Sequence, residues 1–415
     1  MSGNVPEIRF KGFSDAWERR KLGERYNNIR NAFVGTATPY YVESSKNGYF
    51  YLESNNIKDG KINRNSEVFI NEDFYRSQCD KWLHTGDLVM VQSGHVGHTA
   101  VIPKELDGIA AHALIMYQDP ISNTDPHFVN YQFQTPETKK KLEFITTGNT
   151  IKHILASEMK LFTLEFPCAI EEQIAIGTFF RTLDDLTTLQ KRKLDGLKEL
   201  KKGYLQLMFP QAGETVPRVR FAGFDGGWEE RKLGEISRKV AEKNKNTIFT
   251  ETLTNSAEYG IINQRDFFDK DISNEKNLSG YYIVRPDDFV YNPRISNFAP
   301  VGPIKRNLLN RTGVMSPLYY VFRILVGDVT YLEKYFEGGY WHDFMFLNGD
   351  NGVRSDRFNI KDSVFSEMPI PFPSIPEQIA IGTFFRNLDT QISTQQKKLE
   401  KIKQLKAAYL QKMFI

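Results

Sequence analysis

Residues 5–24 (VPEIRFKGFSDAWERRKLGE) and residues 216–235 (VPRVRFAGFDGGWEERKLGE) agree at 13 of 20 positions, at a constant offset of 211. A second pair, residues 172–209 and 377–414, agrees at 23 of 38 positions, at an offset of 205. Both members of that pair begin EQIAIGTFFR and end in Tyr-Leu-Gln, one variable residue and Met-Phe. Two long matches in the same order make the chain a tandem duplication of a unit slightly over 200 residues long. The stretches between them, 25–165 and 236–372, are of similar length but share no obvious similarity. SGHVGHTAVIP (93–103), for instance, occupies roughly the place of YNPRISNFAPVGPIKRN (291–307). A purely structural repeat diverges evenly along its length. A duplicated frame with divergent inserts instead suggests two readers of two targets.

Composition closes off several other classes. At 415 residues the chain exceeds one ordinary domain, and 40% hydrophobic with 25% charged residues is a globular rather than a disordered composition. No run of about 18 apolar residues is present, so no membrane span is expected. The start, MSGNVPEIRFKGF, lacks the apolar core of a secretion signal, which predicts a cytoplasmic location. Cys79 and Cys168 alone provide neither a disulfide framework nor a four-cysteine zinc site. The net charge of +3 neither demands nor excludes a nucleic-acid partner, because basic residues can cluster on one face.

The repeated C-terminal segments each read as one long helix. Leu388, Ile392, Gln395, Leu399, Ile402, Lys406, Tyr409 and Met413 step by four and three, a heptad seam interrupted at Gln395 and Lys406. In the first copy the similar stripe is Leu183, Leu186, Leu189, Leu194, Leu197, Leu200, Tyr204 and Leu207. Gly196 and Gly203 weaken that copy by about 1 kcal/mol each relative to alanine. Ser374-Ile375-Pro376-Glu377 fits a capping box at the start of the second helix, with proline in the first turn. Such helices span roughly 57 Å, and two of them are expected to pair. Only residues 210–215 join the first helix to the second VPRVRF, a reach of at most about 20 Å. With a pseudo-two-fold axis, antiparallel pairing follows and brings Phe414 close to Val5.

The inserts read as mixed α/β. DLVMVQS, ALIMYQ, FVYNPRI and YYVFRIL are short strand-like runs, rich in β-branched and aromatic residues and bounded by Gly, Pro and Asp. Residues 128–145 and 329–346 are helical for at least part of their lengths.

Two variable modules, each followed by an EQIAIGTFF-type helix ending in Tyr-Leu-Gln-x-Met-Phe, closely resemble the DNA specificity subunit of type I restriction-modification systems. The resemblance spans the whole chain. It implies an α+β fold of two mixed α/β target-recognition domains joined by two long helices in an antiparallel coiled coil. The corresponding boundaries are 1–170 and 210–375 for the recognition domains, and 171–209 and 376–415 for the helices. It further implies double-stranded DNA with a bipartite, asymmetric site as ligand, one half read by each domain. By the same resemblance, two methyltransferase subunits are expected to dock on the helices and restriction subunits to add to that core, with S-adenosylmethionine, ATP and Mg carried by those partners and no cofactor by the chain itself.

The sequence offers little for catalysis. No G-x-x-x-x-G-K-[ST] loop is present. Asn292-Pro293 starts like the Asn-Pro-Pro-aromatic motif of amino-methyltransferases, but Arg294 replaces the second proline and no glycine-rich cofactor loop precedes it. His95 and His98 lack further ligands at metal-binding spacing. A stand-alone methyltransferase or nuclease is therefore the weaker alternative, and a protein-binding coiled-coil adaptor the third. For DNA contact the candidates are Ser93, His95, His98 and Thr99 in a Gly-rich loop, and Tyr291, Asn292, Arg294, Ser296 and Asn297 in the corresponding stretch. Small residues admit a phosphate, while Arg and Asn suit guanine and adenine edges; a plain hairpin is the structural alternative. A second matching pair of loops lies just upstream of the helices: Asn149, Thr150 and Lys152 in one module, Arg354 and Arg357 in the other. Lys139, Lys140 and Lys141 read as a solvated helix face near that surface.

Overall fold

The computed structural model describes residues 5–121, 123–148, 152–211, 213–267, 275–351 and 356–415. The chain divides into two compact units, residues 1–191 with 397–415 and residues 192–396. Neither long helix is a separate body, because each contributes one half to either unit.

In unit 1 the elements that position the site are β1 (Glu18–Lys21), β2 (Tyr26–Asn31), β3 (Leu88–Val91), β4 (Thr99–Val101) and β5 (Leu114–Pro120). They are followed by α1 (Pro126–Gln132), α2 (Pro136–Ile145), β6 (Thr163–Phe166) and the long helix α3 (Ile170–Leu207). Unit 2 repeats the order with β7 (Glu229–Lys232), β8 (Ser237–Lys239), β9 (Phe289–Tyr291), β10 (Ile304–Arg306) and β11 (Tyr320–Ile324). Then come α4 (Val329–Glu337), α5 (His342–Asn348), β12 (Pro369–Phe372) and the long helix α6 (Ile375–Lys412). The strand and helix runs read from the inserts all fall on these elements. Each unit holds a four-stranded antiparallel sheet, ordered β2-β5-β3-β4 in one and β8-β11-β9-β10 in the other. The inserts thus share a topology that their residues no longer reveal. β3 is buried at every position, so alternation does not mark its inner face.

The repeated residues hold each unit to its helices. β1 pairs antiparallel with β6, and β7 with β12. Ile8 N–H donates to Lys412 O at 2.9 Å, and Val219 N–H to Leu207 O at 2.9 Å. Trp17 meets Phe414 edge-on, and Trp228 meets Phe209 in the same way. Arg9 grips the buried Glu172 with two donors at 2.6 and 2.8 Å; Arg220 grips Glu377 at 2.7 and 2.8 Å. The Glu377 carboxylate is therefore spent on Arg220, and the capping-box role expected of it is not what its contacts show.

Asp125 and Asp328 cap α1 and α4 by accepting from Phe128 N–H and Tyr331 N–H. Gln173 and Gln378 accept in turn from the backbone N–H groups of those two aspartates. A Cβ on Gly177 would lie 2.6 Å from Asp125 Oδ1, and one on Gly382 would lie 2.7 Å from Asp328 Oδ1. EQIAIG is thus a local instruction for close helix approach. Phe180 and Phe385 are fully buried, whereas Phe179 and Phe384 pack on Phe10 with Tyr409 and on Phe221 with Tyr204.

Within unit 1, Phe179 faces Tyr409 and Asp184 faces Lys406; within unit 2, Tyr204 faces Phe384 and Lys201 faces Asp389. In both, the helix segments run antiparallel. The seam of α6 is the one read from its heptads. That of α3 is not: Leu186, Leu189, Leu200 and Leu207 are exposed. Leu183 and Leu194 are buried, and Thr187, Gln190 and Lys201 take the positions equivalent to Ile392, Gln395 and Lys406. Lys406 ion-pairs with Asp184 at 2.7 Å, and Asp184 also accepts from the Tyr131 hydroxyl. Lys201 pairs with Asp389 at 2.6 Å, where Lys334 and Glu337 join the network. Burial disfavours the Lys334 ammonium, but Glu337, Glu333 and Asp389 outweigh it and hold its pKa above the usual lysine value.

Candidate nucleic-acid interface

β3 and β4 are joined by the seven residues 92–98, β9 and β10 by the twelve residues 292–303. In unit 1 this connection meets the segment after α2. Gly94 N–H donates to Lys152 O, and Ile154 N–H to Gln92 O, which sets Ser93 opposite His153. In unit 2, Ile295 N–H donates to Asp356 O and Phe358 N–H to Pro293 O, which sets Arg294 opposite Arg357. Both are non-hydrogen-bonded antiparallel pairs, the type whose side chains come closest, with Cβ atoms about 4.5–5.5 Å apart. The two loop pairs proposed from the sequence are therefore brought together in each unit, in the same register.

The individual candidates divide into outward and inward groups. His95, Lys152, Arg294, Ser296 and Asn297 are exposed, and Ser93 and Arg357 are half-buried. Thr99 is buried and its hydroxyl donates to Asn130 Oδ1 at 2.7 Å, so it belongs to the sheet rather than to a contact surface. Tyr291 is likewise buried, stacked on Phe365, with its hydroxyl donating to Val301 O. Both depart from the expectation, because the strand residue that borders each loop, Thr99 at the start of β4 and Tyr291 at the end of β9, points into the core. Asn292 donates to Asn255 O at 2.8 Å in the strand Leu253–Ser256 and accepts from Arg294 N–H at 3.0 Å, which engages both ends of its amide within the protein. Asn149, Thr150 and Arg354 lie outside the described residues.

Charge separates the surfaces further. Arg220, Arg231, Arg285, Arg306, Arg311 and Arg323 each hold a carboxylate. Among the described residues, Arg294 and Arg357 hold none. Like charges directly opposite on a sheet repel, and an anion between them removes that cost. In unit 1, His98 lies near Lys139, Lys58 and His95, and Asp59 N–H approaches its Nδ1 at 3.4 Å. Burial pushes the His98 pKa below the ordinary histidine value; Asp59 opposes that shift, and Lys139, His95 and Lys58 add to it. Lys139 belongs to the helix face expected near that surface, whereas nothing local in the sequence places Lys58 beside the 92–98 loop.

A cluster of Glu333, Glu337 and Asp389 brings carboxylate oxygens within 4.8 Å of one another. Lys334 and Lys201 sit among these groups, which makes the cluster an ion-pair network rather than an open cation site.

Residues 15–199 and 225–404 each match the type I restriction modification DNA specificity domain. The chain belongs to that family. Among characterised relatives, it is 20% identical to the type I restriction enzyme MjaVIII specificity subunit of Methanocaldococcus jannaschii, over 97% of this chain and 93% of that protein. Its fold is similar to that of the S subunit of a type I restriction-modification system from M. genitalium, with a TM-score of 0.60 at 13% identity and 99% coverage of both chains. A second solved chain, from a study of type I R-M complex assembly and conformational transition, aligns with a TM-score of 0.52 at 15% identity, covering 97% of this chain and 98% of that one.

Proposed function

We propose that the chain is the non-catalytic recognition subunit of a type I restriction-modification enzyme in the cytoplasm. The modules 1–170 and 210–375 each read one half of a bipartite, asymmetric site in double-stranded DNA. The helices 171–209 and 376–415 act as an antiparallel ruler that sets the unread gap. Half-sites about one turn, roughly 34 Å, apart suit such a ruler. Two methyltransferase subunits dock on the duplicated helical frame, and restriction subunits join them. Those partners carry S-adenosylmethionine, ATP and Mg.

The observation that carries this reading is the opposed pair Arg294 and Arg357, which hold no carboxylate among the described residues, on a surface formed by matching loops. Phosphate contacts position such a protein, and base-edge contacts from the same loops specify the sequence. No helix among the described residues is long and apolar enough to cross a membrane.

The test is a methylome of the source cell with and without the gene. A split motif of fixed gap should lose methylation on deletion. Replacing 236–372 with the insert of another such subunit should then change one half of the motif and leave the other half and the gap intact. A methylome that both manipulations leave unaltered, in a cell whose methyltransferase subunit is active, would sink the proposal.

A further inference from the structure

The longer loop of unit 2 ends in a tip that its counterpart lacks. Ser296 N–H donates to Ala299 O and Ala299 N–H donates to Ser296 O, both at 3.0 Å, which closes a two-residue turn on Asn297 and Phe298. The base of the loop is braced by Asn292 N–H to Pro303 O and by Gly302 N–H to Ala299 O. Gly302 has φ +83°, and a Cβ there would sit 2.1 Å from Asn292 O, so this bracing requires glycine. At the tip of this stiff finger Phe298 is 79% exposed. In the shorter loop of unit 1 the apolar residue Val96 instead turns in against the core, leaving His95 outside.

Single exposed apolar side chains are common on protein surfaces, but this one sits at the end of a backbone that is braced to hold it there. Its neighbours point to a use for it. Arg294 lies at the base of the finger and Arg357 on the segment facing it, neither with an ion-pair partner among the described residues, and Asn297 shares the turn. Asparagine matches the N6 and N7 groups of adenine, while an apolar side chain matches the thymine methyl group. Both features lie on the major-groove edge of one A·T pair.

Resting on the DNA-recognition reading above, we propose that the Asn297–Phe298 tip reads an A·T pair in the second half-site, with Phe298 packed on the thymine methyl. The arginines hold the backbone beside it. Phe298 is then a specificity determinant rather than a general DNA anchor.

The experiment selects randomised duplexes with the full chain co-purified with its methyltransferase subunit, comparing the natural protein with Phe298→Ala and Phe298→Leu. The natural complex should recover a two-part motif with an A·T pair in its second half. Phe298→Ala should keep the first half and the gap, and lose preference at that pair by roughly tenfold. Phe298→Leu should retain much of it. Replacing that thymine with deoxyuridine should weaken the natural complex and leave Phe298→Ala indifferent. The side chain is 79% exposed, so thermal melting should hardly move. A motif unchanged in Phe298→Ala, equal loss on all sequences, or equal binding of deoxyuridine and thymidine sites by the natural complex would each overturn the assignment. Failure of the natural complex to select any two-part motif would instead overturn the DNA reading beneath it.

Discussion

Where unit 1 sets Ser93 opposite His153, unit 2 sets Arg294 opposite Arg357 on the same backbone geometry. Where unit 1 joins Arg9 to Glu172 and Asp184 to Lys406, unit 2 joins Arg220 to Glu377 and Asp389 to Lys201. The first pair of positions has been free to change and the second has not. Their locations explain the contrast. The residues shared by both copies sit where a module meets its helices, at buried carboxylates and close glycines where a single change meets a partner that cannot adjust alone. The variable ones sit on loop pairs whose backbone bonds are made whatever the side chains are. A duplicated frame can therefore carry two different surfaces without either unit needing a new fold.

The comparison is broken most severely at the buried ion pairs. Glu172 and Glu377 are each 1% exposed, and removing one partner of a buried pair costs about 3–5 kcal/mol, because the remaining charge is stranded. Glu172→Ala should destabilise unit 1, and Glu377→Ala unit 2, by that order in denaturant titrations. Replacing Arg9 and Glu172 together with apolar residues of similar volume should recover much of the loss. Equal, negligible effects would mean that the repeated pairs are dispensable and that the frame rests on its aromatic contacts.

The opposed arginines should behave in the contrary way. Arg294→Gln or Arg357→Gln removes a like-charge neighbour, so stability should stay within about 0.5 kcal/mol. DNA affinity should fall by roughly tenfold. If the lost contact is to phosphate, the slope of log affinity against log salt becomes shallower by about 0.9. Mutating Ser93 to Ala in unit 1 should cost far less. Filter binding or fluorescence anisotropy across a salt series separates these outcomes. An unaltered affinity in both arginine variants would move the contact surface elsewhere on the unit.

Legibility in the sequence followed the same divide. The frame could be read because identity between copies exposes it: EQIAIGTFFR and the Trp-containing strand recur, and each residue does the same task twice. The α6 seam could be read because apolar residues fill most of it. Leu186, Leu189, Leu200 and Leu207 drew the α3 reading off the seam, since the true positions carry Thr187, Gln190 and Lys201. Lys406 looked like an interruption because its carboxylate partner, Asp184, lies more than two hundred residues away in sequence. At the candidate interface the loop pairs were legible by their place before the helices. Which side chains point outward was not, because Thr99 and Tyr291 differ from their neighbours only in strand face. The opposition of Arg294 and Arg357 is a matter of register, which local sequence does not encode.

The smallest expected difference between the units is in their response to acid. His127 in α1 is pushed down to about 4 by burial, with the charge of Arg181 adding to the effect. The equivalent position in α4 is Thr330, whose hydroxyl accepts from Arg386 Nη2 at 2.7 Å. In the unfolded chain a histidine titrates near 6.5. Between that value and about 4 the unfolded state binds a proton that the folded state refuses. Unit 1 therefore keeps this contribution above pH 6.5 and loses it progressively as the pH falls towards 4, by about 1 kcal/mol at pH 5 after allowing for the partial exposure of the ring. His98 in the same unit and His342 in the other are lowered in the same direction by burial, so the test is made by difference. His127→Thr, which copies unit 2, should flatten the decline in stability between pH 6.5 and 4 while changing little at pH 8. A variant whose melting temperature falls with pH as steeply as that of the natural chain would show that His127 is already protonated in the folded state, and that its burial beside Arg181 does not divide the two units.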